Sequence, residues 1–326
     1  MKKGSLLAII AGAIGLIALF AVLPNMLRPA DGQAQQSAQA GAGAIPRLQG
    51  TQQPNLSGVW QALNEANWDL EPHGMKTAWT THPGVPSGGP VPNAPVLAWG
   101  ATAAVPGSLG VVVGGEIPYK PEALEKRKDN LAHAIERDPE VKCLLPGVPR
   151  ATYLPVPFQV TQSHTKLMMQ YGFSNAGRTV HLDEVDDPGI ESWMGHSVGK
   201  WEGDTLVVNV SNLNGDTWFD RAGNHHSAEM KVTERYTPTS ANHITYEATI
   251  DDPATFTKPW TIKMPLYKRI EENATVFELR CVEMVEELVY GHLRKAQLVK
   301  SWEADYGRRG GTLSLTVGRK PTKIEE

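Results

Sequence analysis

The chain has 326 residues, a length typical of two domains, and a formal net charge of -4. Because it lacks the basic excess that phosphate backbones require, no nucleic-acid partner is expected. The 24 Pro and 31 Gly indicate a loop-rich chain, and the excess of Trp (9) over Phe (6) indicates rings that pack while their N–H needs a partner.

The N-terminus has the pattern of a targeting segment, so residues 1–40 are set apart from the fold. Lys2 and Lys3 precede an apolar run from Leu6 to Leu23, which is long for a signal peptide and just long enough to span a membrane. The sequence Ala38-Gln39-Ala40 favours cleavage, and an uncleaved anchor is the alternative. We therefore expect a periplasmic or secreted protein that contacts the inner membrane only if this segment is retained.

Export makes the cysteines informative, because disulfides persist in oxidising compartments. Cys143 and Cys281 are the only two in the chain, and no Cys-x-x-Cys pattern indicates metal or redox chemistry. They are expected to form one structural disulfide, with two buried free thiols as the alternative. A disulfide that closes such a long loop restricts the unfolded chain, and in the chain-entropy model this stabilises the fold by up to roughly 5 kcal/mol.

The first part of the mature chain is irregular. We expect a polar linker over residues 41–56 and a single domain over residues 57–326. From His82 to Pro121, 16 of 40 residues are Pro or Gly, so this arm can form neither a continuous helix nor a central strand and must lie on other elements. The stretch from Pro121 to Arg137 predicts a short helix, with apolar positions at Leu124, Leu131 and Ile135.

From residue 158 onward, apolar and polar residues alternate, which predicts β-strands. The connections are too short for crossover helices, so eight or nine strands are expected to form an antiparallel sheet that closes into a lipocalin-like barrel or curves strongly. A C-terminal helix is predicted over about 283–302. The predicted strands cover 158–162, 167–173, 178–183, 206–210, 230–236, 244–250, 260–266 and 277–281, with a further hairpin strand ending at Glu202.

The stretch Trp201 to Val208 predicts a hairpin, because Gly-Asp is a favoured two-residue connection between strands. This loop places Trp201 opposite Leu206 and Gly199 opposite Val208, with Gly199 leaving room for Trp201. Asp204 is then a turn residue instead of a catalytic acid.

Two other patterns do not carry a function. Gly195-His196-Ser197-Val198-Gly199 matches the G-x-S-x-G motif of α/β-hydrolases, but Ser197 leads into a strand and not a helix, so a serine hydrolase is not favoured. His225 and His226 are adjacent, so on a strand they point to opposite faces and cannot both bind one ion. No metal site and no cofactor are predicted.

Polar residues on or near the predicted apolar interior supply the candidate site. Glu234 and Arg178 each share a strand face with apolar residues, either as a structural ion pair or as groups poised for ligand chemistry. His196 and His226 add side chains that titrate near neutral pH. These four are the candidate catalytic residues, and the candidate ligand-binding residues are Trp193, Trp201, Trp218, Tyr171 and Asp220.

The chain also resembles a family of exported, largely uncharacterised bacterial β-proteins. The resemblance rests on the Trp-Glu-Gly-Asp-Thr-Leu-Val-Val hairpin, on Trp193-Met194-Gly195 before it, and on a series of short pieces after it: Thr217-Trp218, His226-Ser227, Thr233-Glu234-Arg235, Asp252-Pro253 and Pro259-Trp260. It covers roughly Asn55 to Glu283 and implies a lipocalin-like barrel, but no activity. The Pro/Gly-rich arm and the tail beyond Glu283 look less like the family and are expected to shape a ligand mouth or an interface.

These features predict an exported β-barrel that binds an apolar or aromatic small molecule. General acid/base chemistry without a cofactor, as in a lyase, decarboxylase or hydrolase, is an extension of this hypothesis. The alternatives are a lipocalin-type carrier and a structural envelope protein whose arm docks a partner. A barrel interior filled by side chains would leave no internal ligand site.

Overall fold

Hydrogen bonds between nine strands close the chain into a barrel in the computed structural model. The structure describes residues 43–77, 104–183, 185–277 and 279–283. The chain divides into Met1–Ala44, of which only the exposed residues 43 and 44 are described, and Ile45–Glu326, which contains the barrel. The predicted mainly β fold with a closed barrel is confirmed.

The strands follow the alternation seen in the sequence. In the strand Lys166–Tyr171 every second side chain, beginning with Leu167, is buried, and the residues between them are exposed. A separate small sheet pairs β2 (Lys76–Thr77) with β3 (Ala104–Val105). The barrel strands are β1 (Gly58–Ala62), β4 (Phe158–Gln162), β5 (Lys166–Tyr171), β6 (Gly177–His181), β7 (His196–Glu202), β8 (Thr205–Ser211), β9 (Lys231–Ser240), β10 (His243–Asp251) and β11 (Trp260–Lys268).

Around the barrel the strands are ordered β1, β11, β10, β9, β8, β7, β6, β5, β4, and β1 closes it by pairing with β4. All neighbours are antiparallel except β6 and β7, which pair in parallel through Val180 with Ser197 and His181 with Val198. The long connection over residues 182–195 allows this, because it carries the chain back to the same end of the barrel before β7 begins. Alternation alone did not indicate this pair.

The predicted hairpin register is confirmed. Trp201 pairs with Leu206 and Gly199 with Val208, so Gly203 and Asp204 form the two-residue connection between β7 and β8. The reason for Gly199 differs from the expectation: a Cβ atom there would lie 2.8 Å from Cγ1 of Val180 and 3.1 Å from Cδ2 of Leu182. Gly199 therefore makes room for side chains near the parallel pair and not for Trp201.

The described part of the Pro/Gly-rich arm lies along β11, where β1 leaves the strand edge unpaired. The N–H of Val113 donates to the carbonyl of Thr261, and the N–H of Lys263 donates to the carbonyl of Val111, both at 2.8 Å. The arm continues into α1 (Pro121–Ala132), followed by the single turns α2 (Ala134–Arg137) and α3 (Arg150–Tyr153). The arm thus covers a strand edge that would otherwise be open to other chains.

Two sequence expectations are wrong in detail. The buried residues of α1 are Ala123 and Asn130, whereas Leu131 is 46% exposed, because the helix packs against the closely approaching backbone of Gly223. The stretch 277–281 is not a strand: its described part forms only an isolated bridge between Leu279 and Phe173. The predicted helix over about 283–302 lies outside the described residues, apart from residue 283.

The predicted disulfide is confirmed. Cys143 and Cys281 are bonded, with their Cα atoms 5.5 Å apart and a sequence separation of 138 residues. This excludes the alternative of two free thiols. The bond fastens the segment after β11 to the loop between α2 and α3.

Replacement of Gly199 by Ala is expected to lower the free energy of unfolding by about 1–3 kcal/mol, because the new methyl group overpacks a filled interior. Gly177→Ala is the matched control: its Cβ would meet only the Met169 carbonyl oxygen, at 3.5 Å, so a change within about 0.5 kcal/mol is expected. Urea unfolding followed by circular dichroism measures both. Equal stability of the two variants would contradict the packing assigned to Gly199.

Candidate functional site

The candidate residues from the sequence do not form one site. Arg178, Glu234 and Tyr171 meet inside the barrel. Trp218, Asp220 and His226 lie between β8 and β9, in the segment 217–227, called here the Asp220 loop. Trp193, His196 and Trp201 lie on or just before β7. The sequence analysis expected two histidines, a carboxylate and three tryptophans to converge on one ligand. In the described part of the chain these candidate residues lie in three separate regions.

Inside the barrel, the guanidinium of Arg178 has a partner for every N–H. Nη1 donates to Oε2 of Glu234 at 2.6 Å and to the Ser197 hydroxyl at 3.3 Å. Nη2 donates to Oε1 of Glu234 and to the Tyr236 hydroxyl, both at 3.0 Å, and Nε donates to the Tyr171 hydroxyl at 3.0 Å. An arginine has five N–H donors, and all five are used.

Glu234 is equally well satisfied, and it is fully buried. Its Oε1 also accepts hydrogen bonds from the hydroxyls of Tyr236 at 2.9 Å and Tyr246 at 2.7 Å. Burial opposes the charge on Arg178, but Glu234 and the adjacent tyrosines outweigh it and raise the pKa of Arg178 well above its usual value. The name Arg178 cluster is used here for this hydrogen-bonded group of residues, whose members are Tyr171, Arg178, Ser197, Glu234, Tyr236 and Tyr246. Its closure favours the structural interpretation of the ion pair over a ligand-binding one.

The strand β7 keeps His196 and Trp201 apart. Ser197, Gly199 and Trp201 alternate on the inner face, whereas His196 lies on the opposite face, half-buried, with its ring 5.8 Å from that of His181. Nε2 of His196 and Nε1 of Trp201 are buried without a hydrogen-bond partner in the described part of the chain. The two side chains therefore cannot contact one ligand. The sequence had suggested that they would.

In the Asp220 loop, His226 is held as a neutral ring. Its Nδ1 lies 2.8 Å from the Ser227 carbonyl oxygen, which can only accept, so Nδ1 carries the proton. Its Nε2 then accepts from the Thr217 hydroxyl at 2.6 Å, and burial lowers the pKa of His226. The arrangement is that of a nucleophile and a base, but Thr217 is 2% exposed beneath Gly147, which keeps a substrate away from it.

Asp220 organises this loop from a fully buried position. Oδ1 accepts from the N–H groups of Ala222 at 2.9 Å and Asn224 at 3.3 Å, and Oδ2 accepts from the N–H of Leu70 at 2.8 Å and from Nδ2 of Asn224 at 2.6 Å. Burial and the nearby carboxylate of Asp69 nevertheless raise the pKa of Asp220 to about 7. A carboxyl group with such a pKa is typical of functional sites.

The helix α3 links these buried regions. Arg150 donates to Asp138 at 2.9 Å and to Glu140 at 2.6 Å, while the Tyr153 hydroxyl donates to the Phe219 carbonyl at 2.8 Å. Thr152 lies beside the hydroxyls of two tyrosines of the Arg178 cluster, although its own hydroxyl finds no hydrogen-bond partner among the described residues. A buried helix thus fills the space between the barrel interior and the Asp220 loop.

A cleft of about 640 Å³ opens on the outside of this region, between the arm and α1. It is called the arm cleft and is lined by Glu71, Pro72, Leu124, Arg127 and residues 115–119. Its size falls in the range of small-molecule sites. A smaller cavity of about 230 Å³ lies beside the disulfide, where Phe173 and Arg221 are among its lining residues.

Polar groups with fixed positions surround the arm cleft. Nη1 of Arg127 lies 2.9 Å from Oε2 of Glu71, whose Oε1 accepts from the N–H of Ile117 at 2.8 Å. The Tyr119 hydroxyl donates to Oδ1 of Asn224 at 3.1 Å, and Asn224 in turn contacts Asp220. Burial raises the pKa of Tyr119 well above its usual value. The floor of the cleft is therefore connected to the Asp220 loop.

Aromatic rings continue from the cleft into the protein. The ring of Tyr119 lies 5.7 Å from that of His225 and 5.0 Å from that of Phe256. Phe256 packs 5.4 Å from Trp260, at the start of β11. This ring packing fixes the position of Tyr119.

Sequence patterns pointed to Asp220 but missed Tyr119, Arg127 and Glu71. These three come from the arm, α1 and the segment after β1, which carry no shared motif. The one usable signal from the residues was the density of Pro and Gly in the arm, which indicated a segment that must lie on other elements. Its difference from the resembling family led to the expectation that it shapes a ligand mouth or an interface. Position in space, and not residue spacing, brings the three together.

Two further observations concern metal-binding groups and membrane-spanning helices. Within the described ranges, no three His, Cys, Asp or Glu side chains gather in an arrangement able to hold a metal ion. In that same part of the chain, no helix combines the length and apolar character needed to cross a membrane.

Glu234→Gln is expected to lower the free energy of unfolding by about 3–5 kcal/mol, because it leaves the charge of Arg178 buried without its counter-charge. Joint replacement by Arg178→Met and Glu234→Leu is expected to cost less than this. The Glu247–Lys263 pair, at 2.9 Å, supplies the control, because its lysine is exposed and its glutamate is only half-buried. Glu247→Gln should cost under about 1 kcal/mol. Urea unfolding measures all three, and wild-type stability of Glu234→Gln would favour a ligand-binding role for the pair.

His225 is expected to make stability fall in acid. Burial, with a smaller effect of Lys126, lowers its pKa to about 4, against about 6.5 unfolded. The unfolded chain therefore binds the extra proton first, and the contribution of the neutral ring is complete above pH 6.5 and is lost as the pH falls towards 4. At pH 5 the loss amounts to about 2 kcal/mol.

His225→Phe keeps a ring against Tyr119 and removes this titration, so the variant should lose about 2 kcal/mol less than the wild type between pH 8 and pH 5. Asp220, whose pKa is raised to about 7, acts in the opposite direction, because its protonation stabilises the native state as the pH falls. The difference between variant and wild type isolates His225. Parallel curves of unfolding free energy against pH would contradict the burial of a neutral imidazole.

The arm cleft is the candidate functional site, because an open cavity is lined by Tyr119 and Arg127, whose positions are fixed by their partners. The buried carboxyl group of Asp220, with its perturbed pKa, lies behind them and is connected to Tyr119 through Asn224. Its lining combines hydrogen-bonding and charged groups with the apolar side chains of Ile117 and Leu124. No model of a known protein family, no curated protein and no solved structure matches the chain.

Proposed function

We propose that the protein is an exported small-molecule-binding protein whose ligand occupies the arm cleft. The observation that carries this proposal is the cleft of about 640 Å³ with Tyr119 and Arg127 in its wall and Asp220 behind them. An apolar or aromatic ligand body would lie against Ile117 and Leu124, and its polar group would lie towards Tyr119. The proposed ligand is a largely apolar compound with one ionisable group.

The barrel interior suits a ligand less well. The inward side chains of β5, β6, β9 and β10 include the Arg178 cluster, whose hydrogen-bonding groups are already paired with one another. A ligand entering there would have to displace these bonds, which cost more to break when buried. A cleft on the outside requires no such rearrangement.

Export is part of the proposal. The basic residues and apolar run at the N-terminus support it. The Cys143–Cys281 disulfide supports it independently, because such bonds persist in oxidising compartments.

The test is mass spectrometry of small molecules that co-purify with the natively produced protein. Leu124→Trp fills the cleft and should reduce the bound compound at least about tenfold, the effect of 1.4 kcal/mol. Leu131→Trp is the control, because Leu131 lies on the same helix, is 46% exposed and does not line the cleft. Equal retention by both variants would place the ligand elsewhere, and wild-type protein without any compound would favour the structural envelope alternative.

The same preparation separates a carrier from an enzyme. Incubation of the identified compound with the protein either returns it unchanged, as expected of a carrier, or yields a product of elimination, decarboxylation or hydrolysis. Product formation that follows ionisation of a group with a pKa of about 7 would point to Asp220.

A further inference from the structure

We infer that the arm cleft selects ligands that carry a positive charge, such as an amine or a guanidine attached to an apolar body. This inference rests on the proposed function and adds the chemical class of the ligand. It follows from the balance and the pairing of the charges around the cleft.

The lining of the cleft contains two carboxylates, Glu71 and Glu116, and one cation, Arg127. Glu116 is exposed and makes no hydrogen bond or ion pair with another residue of the described part of the chain. An unpaired carboxylate at the opening attracts cations before they enter the cleft.

Arg127 does not offer its charge to a ligand. Nη1 lies 2.9 Å from Glu71 and Nη2 lies 3.8 Å from Asp69, so the guanidinium is held between two carboxylates. Burial opposes the charge, but Glu71, Asp220 and Asp69 raise the pKa of Arg127. An anionic ligand would have to compete with these groups, whereas a cation meets an excess of negative charge.

Two lysines near the cleft do not reverse this balance. Nζ of Lys120 donates to the carbonyl of Pro253 at 2.5 Å. Its charge remains, but it is held against the loop before β11, and Lys120 is not among the residues that line the cleft. Lys126 lowers the pKa of His225 and is not among the residues that line the cleft. The apolar side chains of Ile117 and Leu124 supply contact for the uncharged part of the ligand.

The inference is tested with three probes of nearly equal shape: benzylammonium, benzyl alcohol and benzoate. Binding is measured by ligand-observed NMR at about 0.01 M ionic strength, where the Debye length is about 30 Å. We expect benzylammonium to bind about two- to fivefold more tightly than benzyl alcohol, and benzoate to bind more weakly than both. The preference should shrink at about 0.15 M salt.

Variants locate the effect. Glu116→Gln should remove most of the preference for benzylammonium, whereas Glu122→Gln, an exposed control in the first turn of α1 that does not line the cleft, should leave it unchanged. Circular dichroism confirms that both variants fold. A preference that survives in Glu116→Gln would overturn the inference, because the cleft carboxylate would then not be its source.

Failure of the inference and failure of the proposed function are distinguishable with Leu124→Trp. If benzyl alcohol or benzoate binds as tightly as benzylammonium and Leu124→Trp abolishes that binding, the cleft is a ligand site without cation selectivity. If Leu124→Trp affects none of the three probes, both the inference and the proposed function fail.

Discussion

The buried ion pair between Arg178 and Glu234 is the interaction on which the barrel depends. Two charges removed from water are tolerated only when their remaining hydrogen-bonding groups are satisfied. Here the partners come from five strands, β5, β6, β7, β9 and β10, so the bonds form only in one register. A slip of one residue would turn Glu234 to the outer face and leave Arg178 uncompensated. The ion pair thus specifies the register more than it adds net stability.

This polar interior has consequences for the rest of the molecule. The tyrosine hydroxyls that complete the Arg178 cluster reach towards Thr152 on α3, and the same helix carries Arg150 into a second buried ion network with Asp138 and Glu140. The space inside and beside the barrel is therefore occupied by the protein's own polar groups. A recess of the size a ligand needs is found instead where the arm and α1 pass over the Asp220 loop.

The sequence predicted those parts of the fold that depend on local pattern. Period-two alternation identified most strands, and the Gly-Asp connection identified the hairpin register, because both depend on residues close in the chain. It missed β1, because apolar and polar residues do not alternate strictly in Gly-Val-Trp-Gln-Ala. It took 277–281 for a strand, because apolar spacing does not show whether a partner edge is available. Glu234 and Arg178 were assigned to inner faces, but their pairing depends on the order of strands around the barrel. The cleft was missed for the same reason.

The pKa shifts inside the barrel differ in kind from those on its outer side. In the Arg178 cluster the charged forms are stabilised by partners, and the effect on Arg178 is a raised pKa. Near the arm cleft, burial disfavours the charged forms. It raises the pKa of Asp220 to about 7 and lowers the pKa of His225 to about 4. Such costs persist only where other interactions maintain them, as the hydrogen bonds to Asp220 and the contact of the Tyr153 hydroxyl on α3 with the Phe219 carbonyl do here. Groups with shifts of this kind are typical of functional sites. The barrel thus acts as a rigid support, and Asp220 and His225, with their perturbed pKa values, lie in a segment outside its strands.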